Sequence, residues 1–273
     1  MLRSAVVTAG LAAGVAAAVA IGVLNGVAHE PESTALPRPP KATTQVVAKG
    51  SASPDKPLAG KIVVIDPGHQ LGNSRFPEKI NRPVDAGGFT KPCNTTGTST
   101  NAGFPEATFN WRVAKVVQRR LKKLGATVIM TRHRNSYARW GPCIDKRGKA
   151  GNGLADAKIS IHGDGTSASA HGYHVIVSTQ RHGFRKASVA FAKRVRATLD
   201  AAGFDRSTYV GGGTALSLRG DLGTLNLSRM PTVMVELGNM RNAGDARAMT
   251  SKAGQKRYAK ALVAALRAQL KHD

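Results

Sequence analysis

The chain has 273 residues, is 41% hydrophobic and carries a formal charge of +24. That hydrophobic share is ordinary for a globular protein and fills a real core, which excludes a wholly disordered chain. Residues 1–58 hold five Lys/Arg against three Asp/Glu, so +22 of the +24 lies beyond them, and a surface so basic seeks polyanions.

Met1-Leu2-Arg3-Ser4 is a positive start, Ala5 to Leu24 is apolar or small without a charge, and Gly26-Val27-Ala28 places small residues where a signal peptidase reads. Residues 1–28 therefore read as a secretory signal. The rival reading, an uncleaved membrane anchor, also places the remainder outside the cytoplasm. Export argues against nucleic acid as the polyanion and for anionic wall polymers or lipid headgroups; the plainer alternative is that the charge serves solubility. Residues 29–58 contain Pro31, Pro37, Pro39, Pro40, Pro54 and Pro57 without apolar periodicity, the composition of an extended, disordered tether. The folded domain is expected over residues 59–273, with no internal repeat, no second boundary and no appended wall-binding repeat. Cys93 and Cys143 form an even pair, which in an exported chain favours a disulfide over a thiol nucleophile or a metal ligand.

Within the domain, Lys61-Ile-Val-Val-Ile-Asp66 is a short apolar run between Gly60 and Pro67 and predicts a buried strand. Residues 70–105, rich in Gly, Asn, Thr and Pro, predict a long loop or hairpin, acting as a gate, a groove wall or an inert insertion. A helix is expected to open at Pro105-Glu106. Val113, Val117, Leu121 and Leu124 recur on one face of it, and Gly125 closes it. Strands follow over 126–131, 157–162, 173–178 and 232–236, with helices over 145–152, 184–202 and 252–271. This alternation predicts an α/β fold, a mostly parallel twisted sheet with helices on both faces. Sites in such folds gather beyond the carboxyl ends of the strands, which singles out Asp66-Pro67-Gly68-His69, Ser160-Ile161-His162-Gly163-Asp164 and Glu236-Leu237-Gly238-Asn239.

Two of those ends carry histidine. After Asp55 only Glu78, Glu106 and Glu236 supply glutamate. Glu106 sits at a helix start, where complementing the dipole would be sufficient reason for it. Glu236 ends an apolar run, where a buried carboxylate calls for a cation or a catalytic reason. Two imidazoles and a carboxylate are the ligand set of a hydrolytic zinc site that keeps a position open for water, and a second carboxylate beside that water can act as general base.

These residues resemble the zinc-dependent N-acetylmuramoyl-L-alanine amidases of the type-3 family. The resemblance rests on Ile65-Asp66-Pro67-Gly68-His69, Glu106 with Asn110, Ala155-Asp156 before Ser160-Ile161-His162, and Pro231-Thr-Val-Met-Val-Glu236-Leu-Gly238 with Asn242 and Asp245. Thr131-Arg132 and Arg147 match as well. It covers about residue 60 to the C-terminus, and the loop with its cysteine pair looks like the actinobacterial branch. The resemblance implies one zinc ion per chain on His69, Glu106 and His162, with Glu236 as the catalytic glutamate. It also implies action on peptidoglycan or muropeptide fragments, at the amide between the lactyl group of N-acetylmuramic acid and L-Ala; the chain is separately expected to be a monomer. The chain departs from the family pattern at Asn239 after Gly238, at Gly163-Asp164 after His162, and at His174 where the family often has Glu. His174 is thus a candidate fourth imidazole near the site, while His133, His171 and His182 read as surface or loop residues. A non-catalytic wall-binding module on the same fold and a zinc peptidase cutting within the stem peptide are the rival readings.

Overall fold

The computed structural model of the protein describes residues 55–180 and 183–271. The expected signal segment, most of the expected tether and His182 lie outside the described residues. Leu58, assigned to the tether by its neighbours, belongs to the core: it is buried, and its N–H donates to the Leu124 carbonyl. No helix among the described residues is long and apolar enough to cross a membrane.

The sheet has six strands: β1 (Ile62–Pro67), β4 (Thr127–Met130), β5 (Ala157–Asp164), β6 (His174–Ser178), β7 (Leu216–Arg219) and β8 (Thr232–Asn239). Their order is β4-β1-β5-β8-β6-β7, and every pairing is parallel except the antiparallel one between β6 and β8. Helices α2 (Glu106–Lys123), α4 (Arg185–Ala201) and α7 (Lys252–Lys271) are the long ones; α6 (Ala243–Thr250) precedes α7. The Asn242 side chain caps α6 by accepting from the Gly244 and Asp245 amides.

Alternation along the strands sorts the sheet into two unlike faces. Val63, Ile65, Ile159, Ile161, Val175, Val177, Val233 and Val235 join Phe109, Val113, Val117, Phe191, Val195, Leu262 and Leu266 from the long helices in one large core. The opposite face keeps a small apolar cluster, Ile176, Met234 and Leu225 with Leu222, under the short helix α5 (Gly223–Asn226). The other alternate positions of that face are mostly polar: Asp66, Lys158, Ser160, His162, His174 and Glu236 lie there alongside the buried Val64. The site is built on this second face.

Residues 70–105 are more structured than a loop. They hold a short 3-10 turn, helix α1 (Pro77–Asn81) and a hairpin of β2 (Pro83–Asp85) and β3 (Thr90–Pro92). Cys93, just after the hairpin, is disulfide-bonded to Cys143, which precedes α3 (Ile144–Lys149).

Candidate active site

Three groups from separate elements meet at the carboxyl rim of the sheet. His69 follows β1, Glu106 opens α2 and His162 lies in β5. One ligand atom from each lies within 4.8 Å of the others, the arrangement of a site that could hold a metal ion. Glu106 bridges the pair: Oε2 is 3.2 Å from His69 Nε2, and Oε1 is 3.0 Å from His162 Nδ1. The two rings meet edge to face, with centroids 4.9 Å apart.

The backbone is shaped to permit this. His69 takes a left-handed φ of 56°, uncommon for a residue with a Cβ, which turns the chain off the end of β1. Gly68 beside it has no room for a side chain, since a Cβ there would lie 2.1 Å from the His162 ring. Across the site, a Cβ on Gly97 would lie 2.8 Å from Glu106 Oε2.

Each of the three groups is oriented from behind. His69 Nδ1 lies 3.1 Å from the Thr95 carbonyl, so Nδ1 carries a proton and Nε2 is the atom turned to Glu106. A bond of this kind fixes the tautomer and direction of a metal-binding histidine. Glu106 accepts from the Thr98 amide at 3.0 Å, the Gly163 amide at 3.2 Å and Asn110 Nδ2 at 3.1 Å. Burial pushes the Glu106 carboxyl up, but the His69 charge and the hydrogen bonds from both imidazoles outweigh it and hold the group well below the usual carboxylate range. Burial likewise opposes protonation of His69, and the charge of Glu106 together with the hydrogen bonds to Glu106 and the Thr95 carbonyl outweighs it and raises its pKa.

Beneath the rim, Arg147 gathers the end of β1. It donates to Asp66 Oδ1 at 2.6 Å, to the Pro67 carbonyl at 2.7 Å and to the His69 carbonyl at 2.7 Å. Burial would raise the Asp66 carboxyl, yet Arg147 and the hydroxyls of Ser160 and Thr131 hold it well below its ordinary value. Arg132 ties the same turn to α2 by donating to the Pro67 and Ala107 carbonyls.

Glu236 is the Cα partner of His162 in the β5–β8 register, so the two side chains share a face. Its Oε2 is buried without a hydrogen-bond partner. Burial, then the charges of Glu106 and Asp164, push its pKa well above the usual range against the opposing charge of Arg219. A cavity of about 220 Å³ opens here, lined among others by His69, His162, Glu236, Thr95, Arg219 and Asp221. The sequence-derived ligand set and Glu236 therefore converge on one rim.

A family model described as N-acetylmuramoyl-L-alanine amidase matches residues 63–268. The chain belongs to this family. The amidase is 40% identical over 226 residues to the N-acetylmuramoyl-L-alanine amidase Rv3717 of Mycobacterium tuberculosis, a match covering 81% of this chain and 91% of that one. Among solved structures it is similar to the amidase Ami1 of Mycobacterium smegmatis, with TM-score 0.75, 38% identity, and 79% and 99% of the two chains covered. The apo Ami1 of Mycobacterium abscessus matches with TM-score 0.73 at 44% identity, covering 78% and 99%. The chain is thus an N-acetylmuramoyl-L-alanine amidase, a hydrolase of peptidoglycan, of the actinobacterial branch.

Sequence reasoning missed part of the amidase site. Arg219 and Asp221 enter from β7, where Leu216-Ser217-Leu218-Arg219 alternates apolar and polar but is only four residues long. Arg219 is locked to Asp221 by bonds of 2.9 and 2.7 Å. His174 is buried on the Glu236 face but stands outside the group of three that could hold a metal ion. His133 is exposed and His171 half-buried in a loop.

Proposed function

We propose that the amidase is a zinc enzyme with one ion per chain on His69, Glu106 and His162, and that Glu236 is its catalytic base. The fit of the residues to such an ion supports this reading. Two nitrogens and a carboxylate within 4.8 Å of one another are a hydrolytic zinc donor set with a position to spare. The buried, unpartnered Oε2 of Glu236 beside them is the observation that carries the assignment of the base.

When bound, the ion would polarise the scissile carbonyl and make water more acidic. The rest belongs to the chain. His69, fixed through Thr95, and Glu106, held by two amides and Asn110, keep the donor set in place. Glu236 takes a proton from the attacking water and returns it to the leaving amine, a task that suits a carboxyl whose pKa lies above the ordinary range. The bond cut is the amide between the lactyl group of N-acetylmuramic acid and L-Ala. Export by the 1–28 segment, with the Pro-rich residues from 29 up to Leu58 as a tether, would place the enzyme in the cell-wall space as a monomer. The basic surface would serve retention on anionic wall polymers. A second cavity of about 340 Å³, lined by Arg82, Arg132, Arg134, Arg139 and Lys146 and by no carboxylate, is one basic site suited to that role.

The test is digestion of muramyl dipeptide by wild type and Glu236→Gln, each with and without a chelator, followed by mass spectrometry. The expected result is release of intact L-Ala-D-isoglutamine, abolished by the chelator and slowed by about 10²–10⁴-fold in the variant. Turnover that persists in the chelator, a Glu236→Gln rate within about tenfold of wild type, or cleavage after L-Ala refutes the reading.

A further inference from the structure

Glu236 is flanked in the sheet by two histidines. Its Cα partner in β5 is His162, and its Cα partner in β6 is His174. Residues paired across strands point to the same face, so the three side chains form one row. His162 is turned to Glu106. His174 is not claimed by any ligand contact: it is 3% exposed, and its Nδ1 is buried without a hydrogen-bond partner. The row thus contains two buried, unpartnered polar atoms on directly facing residues, His174 Nδ1 and Glu236 Oε2. Buried polar atoms in native proteins are nearly always paired, and these two can complement each other, an imidazole nitrogen able to carry a proton and a carboxylate oxygen.

We propose that His174 is a positioning residue for Glu236, its Nδ1–H donating to Oε2 of the ionised carboxylate in the zinc-loaded enzyme. This rests on the reading of Glu236 as the general base. The ring is already held in place. Its edge-to-face contact with Tyr209 has centroids 5.8 Å apart, and the Tyr209 hydroxyl donates to Asp164 Oδ2 at 3.1 Å. Burial keeps the imidazole neutral, with Asp164 and Arg219 acting on it in opposite senses. A neutral donor suits the task, because it restrains the carboxylate without adding a full positive charge that would weaken it as a base. With Oε2 held, carboxylate rotation is arrested and the other oxygen is fixed for proton transfer.

The test compares wild type, His174→Asn, His174→Leu and Glu236→Gln, all zinc-loaded, for kcat, KM and metal content. Asparagine carries an amide donor close to the place of Nδ1, and leucine carries none. The expected result is a fall in kcat of about 10- to 100-fold in His174→Leu, the range of a hydrogen bond to a charged group, with KM within twofold, one zinc per chain, and most of the loss recovered in His174→Asn. Nitrogen-15 spectra of the loaded wild type should show the His174 proton on Nδ1. Wild-type kcat in His174→Leu, equal loss in both His174 variants, or a proton on Nε2 overturns the inference. If His174→Leu does not fold, the wild-type tautomer and the asparagine variant decide it alone. Should Glu236→Gln be inactive while His174→Leu is unimpaired, only the role of His174 falls; an active Glu236→Gln removes the general base and the positioning role together.

Discussion

Gly68→Ala adds one methyl group at the tightest point of the site. Its carbon would sit 2.1 Å from His162 Cε1 and 2.4 Å from Nε2. To restore an ordinary contact of 3.4 Å, the ring must retreat by about 1.3 Å, several times the roughly 0.2 Å within which ligand distances to a metal hold. The ring has little freedom to retreat, because its Nδ1 faces Glu106 at 3.0 Å and Gly163 behind it donates to the same carboxylate. The backbone of residue 68 is held just as firmly, by its own N–H to the Ile161 carbonyl and by Asn110 on its carbonyl. The expected outcome is zinc affinity weakened by at least the roughly 10- to 100-fold seen when a supporting residue of a metal site is lost, with kcat falling as well. Secondary structure should be preserved, since the large core lies on the other face. Competition against a calibrated zinc chelator measures the affinity, and circular dichroism checks the fold. Wild-type affinity and turnover in Gly68→Ala would show that His162 does not need its present place to bind the ion.

Two further outcomes follow from charge. Burial lowers the His174 pKa from 6.5 to about 4, so the unfolded chain binds a proton there before the folded one does. Stability from the neutral ring is complete above pH 6.5 and is lost as pH falls toward 4. With chelator present, wild type should lose up to about 3 kcal/mol more than His174→Asn across that window, as read by urea unfolding; parallel curves would contradict the burial argument. The cluster around Arg134 and Arg139 should bind a phosphate-rich wall polymer with a Kd that rises steeply with salt, and Arg134→Ala/Arg139→Ala should flatten that slope while leaving muramyl dipeptide turnover unchanged; an unaltered slope would place retention elsewhere on the surface.

The parts of the fold that sequence made legible are those with a strong period or strong punctuation. Ile62–Pro67 and Thr232–Asn239 are apolar runs set off by proline and glycine, and α2 and α7 carry apolar stripes over many turns, so each is recognisable by itself. Elements whose formation depends on neighbours were not legible. Strand β7 has four residues and exists through its ladder with β6, while α5 spans only Gly223–Asn226. Helix α6 is short and only weakly patterned. The carboxyl ends of β5 and β8 run on to Asp164 and Asn239 because they pair with each other beyond an irregularity after His162. For the site, His69, His162 and Glu236 stood out because strand ends are where α/β folds place chemistry, whereas Glu106, at a helix start, was singled out as a ligand by the family resemblance alone. The strand order that sets Glu236 between two histidines was not readable, because no local pattern records which strands become neighbours.

The disulfide between Cys93 and Cys143 closes a stretch of chain that includes Thr95, Gly97, Glu106 and Arg132. A single peptide bond broken anywhere inside that stretch leaves one covalent molecule, with both halves of the site still attached. Proteolytic nicking of the segments around residues 96–104 or 133–141 would therefore open the contour of the site without releasing any of its components.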